Sequence, residues 1–201
     1  MRWESHQYTQ GMARWEPDAR ARLVAAALEL FSERGYGGAT VTEIADRAGL
    51  SRATFFRYFP DKADVLAAGQ ETLSRLLADG IAEAPADATP LAAVRAGLER
   101  VAGAMTPFHR ELGPGLIAVI AGNPELQARN AAKQAGMTAA MVTALRQRGV
   151  AEPLASIAAG LGGLAFTRAY AAWIADGDAH DLGELMRAAL EQIHRAAAEL
   201  V

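Results

Sequence analysis

Between Thr40 and Lys62 the chain reads T-V-T-E-I-A-D-R-A-G-L-S-R-A-T-F-F-R-Y-F-P-D-K. The side-chain types collected there suit contact with a nucleic acid. Arginine bonds guanine through a fork, apolar groups meet the thymine methyl, and hydroxyls and lysine take phosphate oxygens. Two short helices joined by Ala48-Gly49-Leu50-Ser51 make a helix-turn-helix, because glycine permits the tight turn between crossing helices. Ile44, Ala45, Ala48, Leu50 and Phe55 have the spacing to close a small core under the second helix. Arg52, Ala53, Thr54, Phe56, Arg57 and Tyr58 are left facing outward, with Ser51 as the cap that opens the helix. Phe55 and Phe59 read as core. Phe56 and Tyr58 cannot also face inward on the same helix, so they take an outside role.

Other chemistries fail on spacing. His6, His109, His180 and His194 stand apart, with no pair at a metal-binding interval, and cysteine is absent. Gly160-Leu161-Gly162-Gly163 lacks the strand and the spacing of a dinucleotide loop. Ser32, Ser51, Ser74 and Ser156 have no nucleophile-elbow context. No catalytic residue, metal or cofactor is therefore expected. Met105, Phe108, His109, Met137, Met141, Phe166, Tyr170 and Trp173 form a second group, candidates for lining a small-molecule site. Each also fits an ordinary core position, and His109 and Tyr170 are the polar members able to orient a ligand.

The elements that must carry these residues are helical. The chain has 201 residues, is 51% hydrophobic and 6% aromatic, and has a net charge of −3. It cannot coat nucleic acid as a polycation, so any DNA contact must be a local patch. Period 3.6 predicts helices near 18–34, 41–48, 51–59, 62–83, 90–106, 111–122, 124–148, 153–175 and 181–199. The fold class expected is all-α with about nine helices. Thr40 and Glu43 form a capping box, Gly35 and Gly49 supply stops, and Asn123-Pro124 opens a helix. Residues 1–16 are expected to be a flexible arm without an apolar signal segment, with Met12 as a second possible start. A subdomain change falls at 84–89, and the domains expected are 17–69 and 70–201. Residues 1–62 hold 9 basic and 8 acidic side chains, against 11 and 15 in the remainder, so the relatively basic end carries the short helices. The longest uncharged run, Pro153 to Thr167, is 15 residues, short of the ~20 that a membrane span needs. A buried helix, no membrane partner and a cytoplasmic protein are expected.

From Asp18 to about Gly69 the sequence resembles the DNA-binding domain of the tetracycline-repressor (TetR) family. The likeness rests on A-A-L-E-L-F-S-E-R-G-Y-G-G-A-T-V-T-E-I-A-D-R-A-G-L-S-R-A-T-F-F-R-Y-F-P-D-K-A-D-V-L. The resemblance implies phosphate contacts from Thr40 and Thr42, base reading by Arg52, Ala53 and Phe56, and phosphate contacts from Arg57, Tyr58 and Lys62. Two positions depart from the family pattern. Phe56 stands where tyrosine is commonest, exchanging a hydroxyl for apolar contact, and Ala53 stands where glycine is frequent.

The last helix carries an apolar stripe of Leu182, Leu185, Met186, Ala189, Leu190 and Ile193. The helix before it has small residues Ala155, Ala159 and Gly163 at spacing four. By similarity to the family, these two helices would build a four-helix interface in a homodimer, and the small-molecule candidates would enclose an effector. The partners implied are a pseudo-palindromic double-stranded operator, an effector and a second copy. The function expected is a repressor released when the effector shifts the helix at 62–83, with the core of residues 18–62 separate from the rest. An all-α enzyme, an activator and a ligand-independent DNA binder are the alternatives.

Overall fold

A computed structural model describes residues 19–66, 69–175 and 180–200; the expected N-terminal arm lies outside them. The described residues form an all-α protein of nine helices: α1 (Ala19–Gly38), α2 (Val41–Arg47), α3 (Arg52–Tyr58), α4 (Gln70–Glu83), α5 (Pro90–Ala104), α6 (Pro107–Ala121), α7 (Pro124–Gln147), α8 (Leu154–Ala175) and α9 (Leu182–Ala198). Local chemistry sets most ends. Thr89, Asn123 and Asp181 each accept a backbone N–H from the first turn they cap, and proline occupies the first turn of α5, α6 and α7. α1 runs on to Gly38, past the stop expected at Gly35, which instead kinks it with φ 72° and ψ 162°, a conformation open to glycine but not the left-handed helical cap.

Two further boundaries differ from the sequence reading. The helix expected over 62–83 begins at Gln70, and residues 62–66 form turns. Asp61 is the reason: its Oδ1 accepts the N–H groups of Ala63 (2.7 Å) and Asp64 (2.9 Å), a local turn that competes with a helix. The helix expected from 111 begins four residues earlier, at Pro107, because Thr106 and His109 close a capping box.

The larger core is built by α4, α5, α7, α8 and α9 around Leu77, Ile81, Val94, Leu98, Met141, Phe166 and Met186. Glycines set the close approaches. A Cβ on Gly80 would lie 2.7 Å from the Gly97 Cα, and one on Gly162 would lie 2.5 Å from Val94 and 3.2 Å from Met141 Sδ. Arg148, at the end of α7, donates to the carbonyls of Ala84 (2.8 Å) and Pro85 (2.5 Å), tying α7 to the end of α4.

The second core corrects an expectation. Leu23, Leu30, Phe31, Ile44, Phe55 and Phe59 pack together, but Leu126 of α7 is buried in the same cluster, and Leu112, Leu116, Val119 and Ile120 of α6 pack against it. The three N-terminal helices do not enclose their hydrophobic faces alone; α6 and the start of α7 cover them.

Candidate nucleic-acid interface

The turn between α2 and α3 is set by backbone hydrogen bonds. Gly49 (φ 66°) donates to the Asp46 carbonyl at 3.0 Å, and Leu50 donates to Ala45 at 2.9 Å. This pair of bonds is the Schellman closure that a left-handed glycine allows. Arg22 of α1 donates to the Ala48 carbonyl, and a Cβ on Gly49 would lie 2.8 Å from that guanidinium. The turn is thus fixed to α1 as well as internally. Ser51 then opens α3, its Oγ accepting the Thr54 N–H at 3.1 Å and lying 3.0 Å from the Thr54 hydroxyl.

Phe55 and Phe59 are buried, with ring centroids 5.6 Å apart, and they anchor the inner face of α3. The outer face carries Arg52, Ala53, Phe56, Arg57 and Tyr58, all exposed, and Thr54 is half-buried. Phe56 is 48% exposed, and it is the counterpart of buried Phe55 one position away. Arg52 lies over the Phe56 ring at 5.8 Å and Arg57 over the Tyr58 ring at 5.0 Å. Each cation rests on an aromatic face, so the guanidinium is held without losing its hydrogen-bonding edge.

Two candidates behave differently from the sequence expectation. The Thr40 hydroxyl accepts the Glu43 N–H (3.2 Å) and donates to Glu43 Oε2 (2.8 Å), while the Thr40 N–H donates to the same carboxylate oxygen (2.9 Å). Its only proton is committed to the cap, so Thr40 has no donor left for a phosphate. These bonds, aided by Arg34 at 2.7 Å, hold the Glu43 carboxyl below the usual range. Thr42, one turn position on, is exposed and keeps its place at the start of α2.

Lys62 also turns inward. Its ammonium donates to the carbonyls of Tyr36 (2.7 Å) and Ala39 (2.9 Å) and lies 4.3 Å from the Tyr36 ring centroid. It clasps the end of α1 instead of standing free for phosphate. Arg47 likewise pairs with Glu33 at 2.6 Å, and that hydrogen bond lowers the Glu33 carboxyl.

The small-molecule candidates divide. Met137, Met141, Phe166 and Trp173 are buried in the larger core; Met105, Phe108 and Tyr170 are half-buried, and His109 is exposed. The structure brings Phe166 and Tyr170 into a parallel stack (5.9 Å, 4°), with Trp173 6.0 Å beyond. The Tyr170 hydroxyl donates to the His109 carbonyl at 3.4 Å. Thr106 donates its backbone N–H to His109 Nδ1 at 3.1 Å. Surrounding protein, and secondarily the charge of Lys133, lower the imidazole; burial raises the Tyr170 phenol. The sequence reading missed Arg110, whose guanidinium lies 4.6 Å from the Trp173 centroid, and Lys133. Lys133 falls four residues before Met137 on α7, which was the available signal.

The interface candidates need a correction. Ala155, Ala159, Leu182, Met186, Leu190 and Ile193 are buried within the protomer. A Cβ on Gly163 would lie 2.9 Å from the Thr138 hydroxyl of α7. The small-residue face of α8 therefore packs inside the chain. Leu185 and Ala189 are half-buried and border an open groove of about 400 Å³ between Arg168 and Arg195. The opposite face of α8 exposes Leu154 (51%), Ile157 (55%) and Leu164 (50%). α8 is apolar enough and long enough to cross a membrane by length and composition alone, with 39% of that window buried in the protein.

An all-α chain with a helix-turn-helix held on a third helix defines a class of DNA-binding proteins. Residues 23–68 match the family model of bacterial regulatory proteins, tetR family. The HTH-type transcriptional regulator EthR of Mycolicibacterium smegmatis is 31% identical over 147 residues, 67% of this chain and 64% of that protein. Matches to other curated regulators span shorter shares, such as 37% of BetI from Stenotrophomonas maltophilia. The fold is shared by a transcriptional regulator from Pseudomonas aeruginosa PAO1 (TM-score 0.61, 21% identity, 92% of this chain and 93% of that one). It is shared equally by SmeT in complex with triclosan (TM-score 0.60, 20% identity, 90% and 91%). The family likeness is carried by residues 23–68, and the chain spans less than two thirds of the length of the curated regulators it matches.

Proposed function

We propose that this protein is a transcriptional regulator that binds operator DNA through α3 and acts as a repressor released by a small molecule. The observation that carries the reading is the outer face of α3. Two arginines and two aromatic rings are exposed there on a seven-residue helix whose opposite side is pinned by Phe55 and Phe59. No packing requirement explains Phe56 in water. A major groove offers that ring a thymine methyl and offers Arg52 a guanine edge. Thr42, Ser51, Arg57 and Tyr58 supply the phosphate contacts, and Thr40 and Lys62 fix the helices that carry them.

The domains proposed are the head at 17–69 and the body at 70–201, with α6 and the start of α7 closing the head's core. A second copy covers the exposed face of α8, and the dimer presents two α3 helices to successive major grooves of a pseudo-palindromic site. The effector lies between α6, α7 and α8. The route to the head is α7: Arg129 donates to Asp61 Oδ2 (2.7 Å) and Asp64 Oδ1 (2.6 Å), in the turn that follows α3. A ligand that moves α7 acts on that turn directly, and α4, starting at Gln70, need not be the lever. The protein acts as a binding module in the cytoplasm, not as an enzyme, in keeping with its relatives, which are named as regulators.

The test is retrieval of genomic fragments of the source organism on the purified protein, followed by sequencing. An enriched, inverted-repeat motif is the expected result. Retention of random DNA with no motif would remove the regulator reading.

A further inference from the structure

Lys133 lies on α7, one turn before Met137 of the larger core and away from the nucleic-acid face. Among the described residues no hydrogen bond or ion pair reaches its ammonium, and it is only half-buried. Surrounding protein nonetheless withdraws enough water to lower its pKa, with no neighbouring carboxylate to offset that. Lys133 of α7 and Tyr170 of α8 are half-buried and His109 of α6 is exposed, so the seam between these three helices is open to solvent as a recess.

The register of two helices says what shares that recess. Gly162 of α8 lies against Met141 of α7, and Gly163 lies against Thr138. α7 and α8 are joined by a short connection and run antiparallel. Four residues back along α7 and four forward along α8, Met137 comes level with Phe166; four more bring Lys133 level with Tyr170. On the third side, α6 touches the same tyrosine. A Cβ on Gly113 would lie 3.2 Å from the Tyr170 hydroxyl, which itself donates to the His109 carbonyl. His109 feels the charge of Lys133. Because His109 Nδ1 accepts from Thr106, its neutral ring carries the proton on Nε2, a donor. The recess therefore offers an ammonium and an imidazole N–H with no carboxylate beside them, next to a wall of Phe166, Tyr170 and Trp173.

We propose that the recess between α6, α7 and α8 binds an organic carboxylate with an apolar body, the carboxylate on Lys133 and His109 and the body along Phe166 and Trp173. This rests on the small-molecule site proposed above and names its ligand class. An anion supplies the counter-charge that the lysine lacks, whereas a neutral ligand leaves the ammonium desolvated and unpaired.

Calorimetric titration of the full chain with octanoate, decanoate and phenylacetate, against octanol, decanol and phenylethanol, tests it. The acids are expected to bind about ten- to a hundredfold more tightly than their alcohols. Lys133→Met should bring the acids down to the level of the alcohols. It should also keep or raise the melting temperature, since it removes an unpartnered charge beside Met137; Lys133→Gln serves as a second variant of retained polarity. Equal binding of acids and alcohols, undiminished acid binding in Lys133→Met, or no acid binding at millimolar concentration overturns the proposal. Retention of the recovered genomic fragments is measured in parallel. Release by alcohols and not by acids overturns the carboxylate and leaves the regulator standing. Acids that bind through Lys133 without affecting DNA sustain the site and overturn its role in regulation.

Discussion

Arg52 and Lys62 are both basic residues of the N-terminal helices, yet the structure gives them opposite tasks. Arg52 follows the Ser51 cap directly, is exposed, and spends nothing on the fold beyond its stack on Phe56. Arg52→Ala is expected to cost about 1–3 kcal/mol on the operator and to relax preference at one base pair, with the melting temperature unchanged. A gel-shift series on single-base operator variants checks this; equal loss on operator and random DNA would reduce Arg52 to a phosphate contact. Lys62 has two of its three donors on the Tyr36 and Ala39 carbonyls. Lys62→Met removes charged donors from partly buried acceptors, so it is expected to lower stability by about 1–3 kcal/mol in a denaturant titration. The log–log salt slope of DNA binding should stay as in the parent protein, because no phosphate contact is lost. A slope shallower by about one would restore Lys62 to the interface.

At the scale of elements, what could be read from sequence was local. The Thr40–Glu43 box, the Ser51 cap, the Gly49 turn and the Asn123 cap each depend on residues within a few positions of one another, and each stands in the structure. What escaped depends on distant partners. Nothing near Leu126 says that it completes the core under α2 and α3, and nothing near Arg129 says that it will reach Asp61 and Asp64, 68 and 65 residues away. Asp61 was readable as a helix start. Its side chain instead caps a turn, and Arg129 holds that turn from across the molecule. Arg129→Gln is therefore expected to lower stability by about 1–2 kcal/mol, discounted for partial exposure. It should also weaken the effect of ligand on DNA retention more than it weakens ligand binding. Calorimetry and fragment retention on the same variant check this; an undiminished ligand response would place the route to the head elsewhere.

For the whole molecule, the proposed dimer turns on which side of α8 would meet a second copy. α8 carries a single charge, Arg168, so periodicity cannot tell its inner from its outer face, and a row of small residues reads equally as an intersubunit or an internal seam. Burial decides it. Ala155 and Ala159 are fully covered by the chain itself, whereas Leu154, Ile157 and Leu164 are about half in water on one side of the helix. An exposed apolar face of this kind marks a contact surface. Two variants separate the possibilities. Gly163→Leu drives a side chain into Thr138 of its own protomer, 2.9 Å from the first added carbon, and is expected to cost about 1–3 kcal/mol of protomer stability by overpacking. Ile157→Glu adds a charge where the protomer alone has open solvent, so its protomer should melt as the parent protein does. In a two-fold dimer that charge occurs twice and is desolvated twice, and each copy also loses the burial of an isoleucine, about 1 kcal/mol for the half now exposed. Sedimentation equilibrium should then find Ile157→Glu as a folded monomer, and its retention of operator fragments should collapse because a lone α3 reads one half-site only. A dimer of undiminished affinity in Ile157→Glu would leave the exposed face of α8 without a partner and place the two-fold axis elsewhere on the protein.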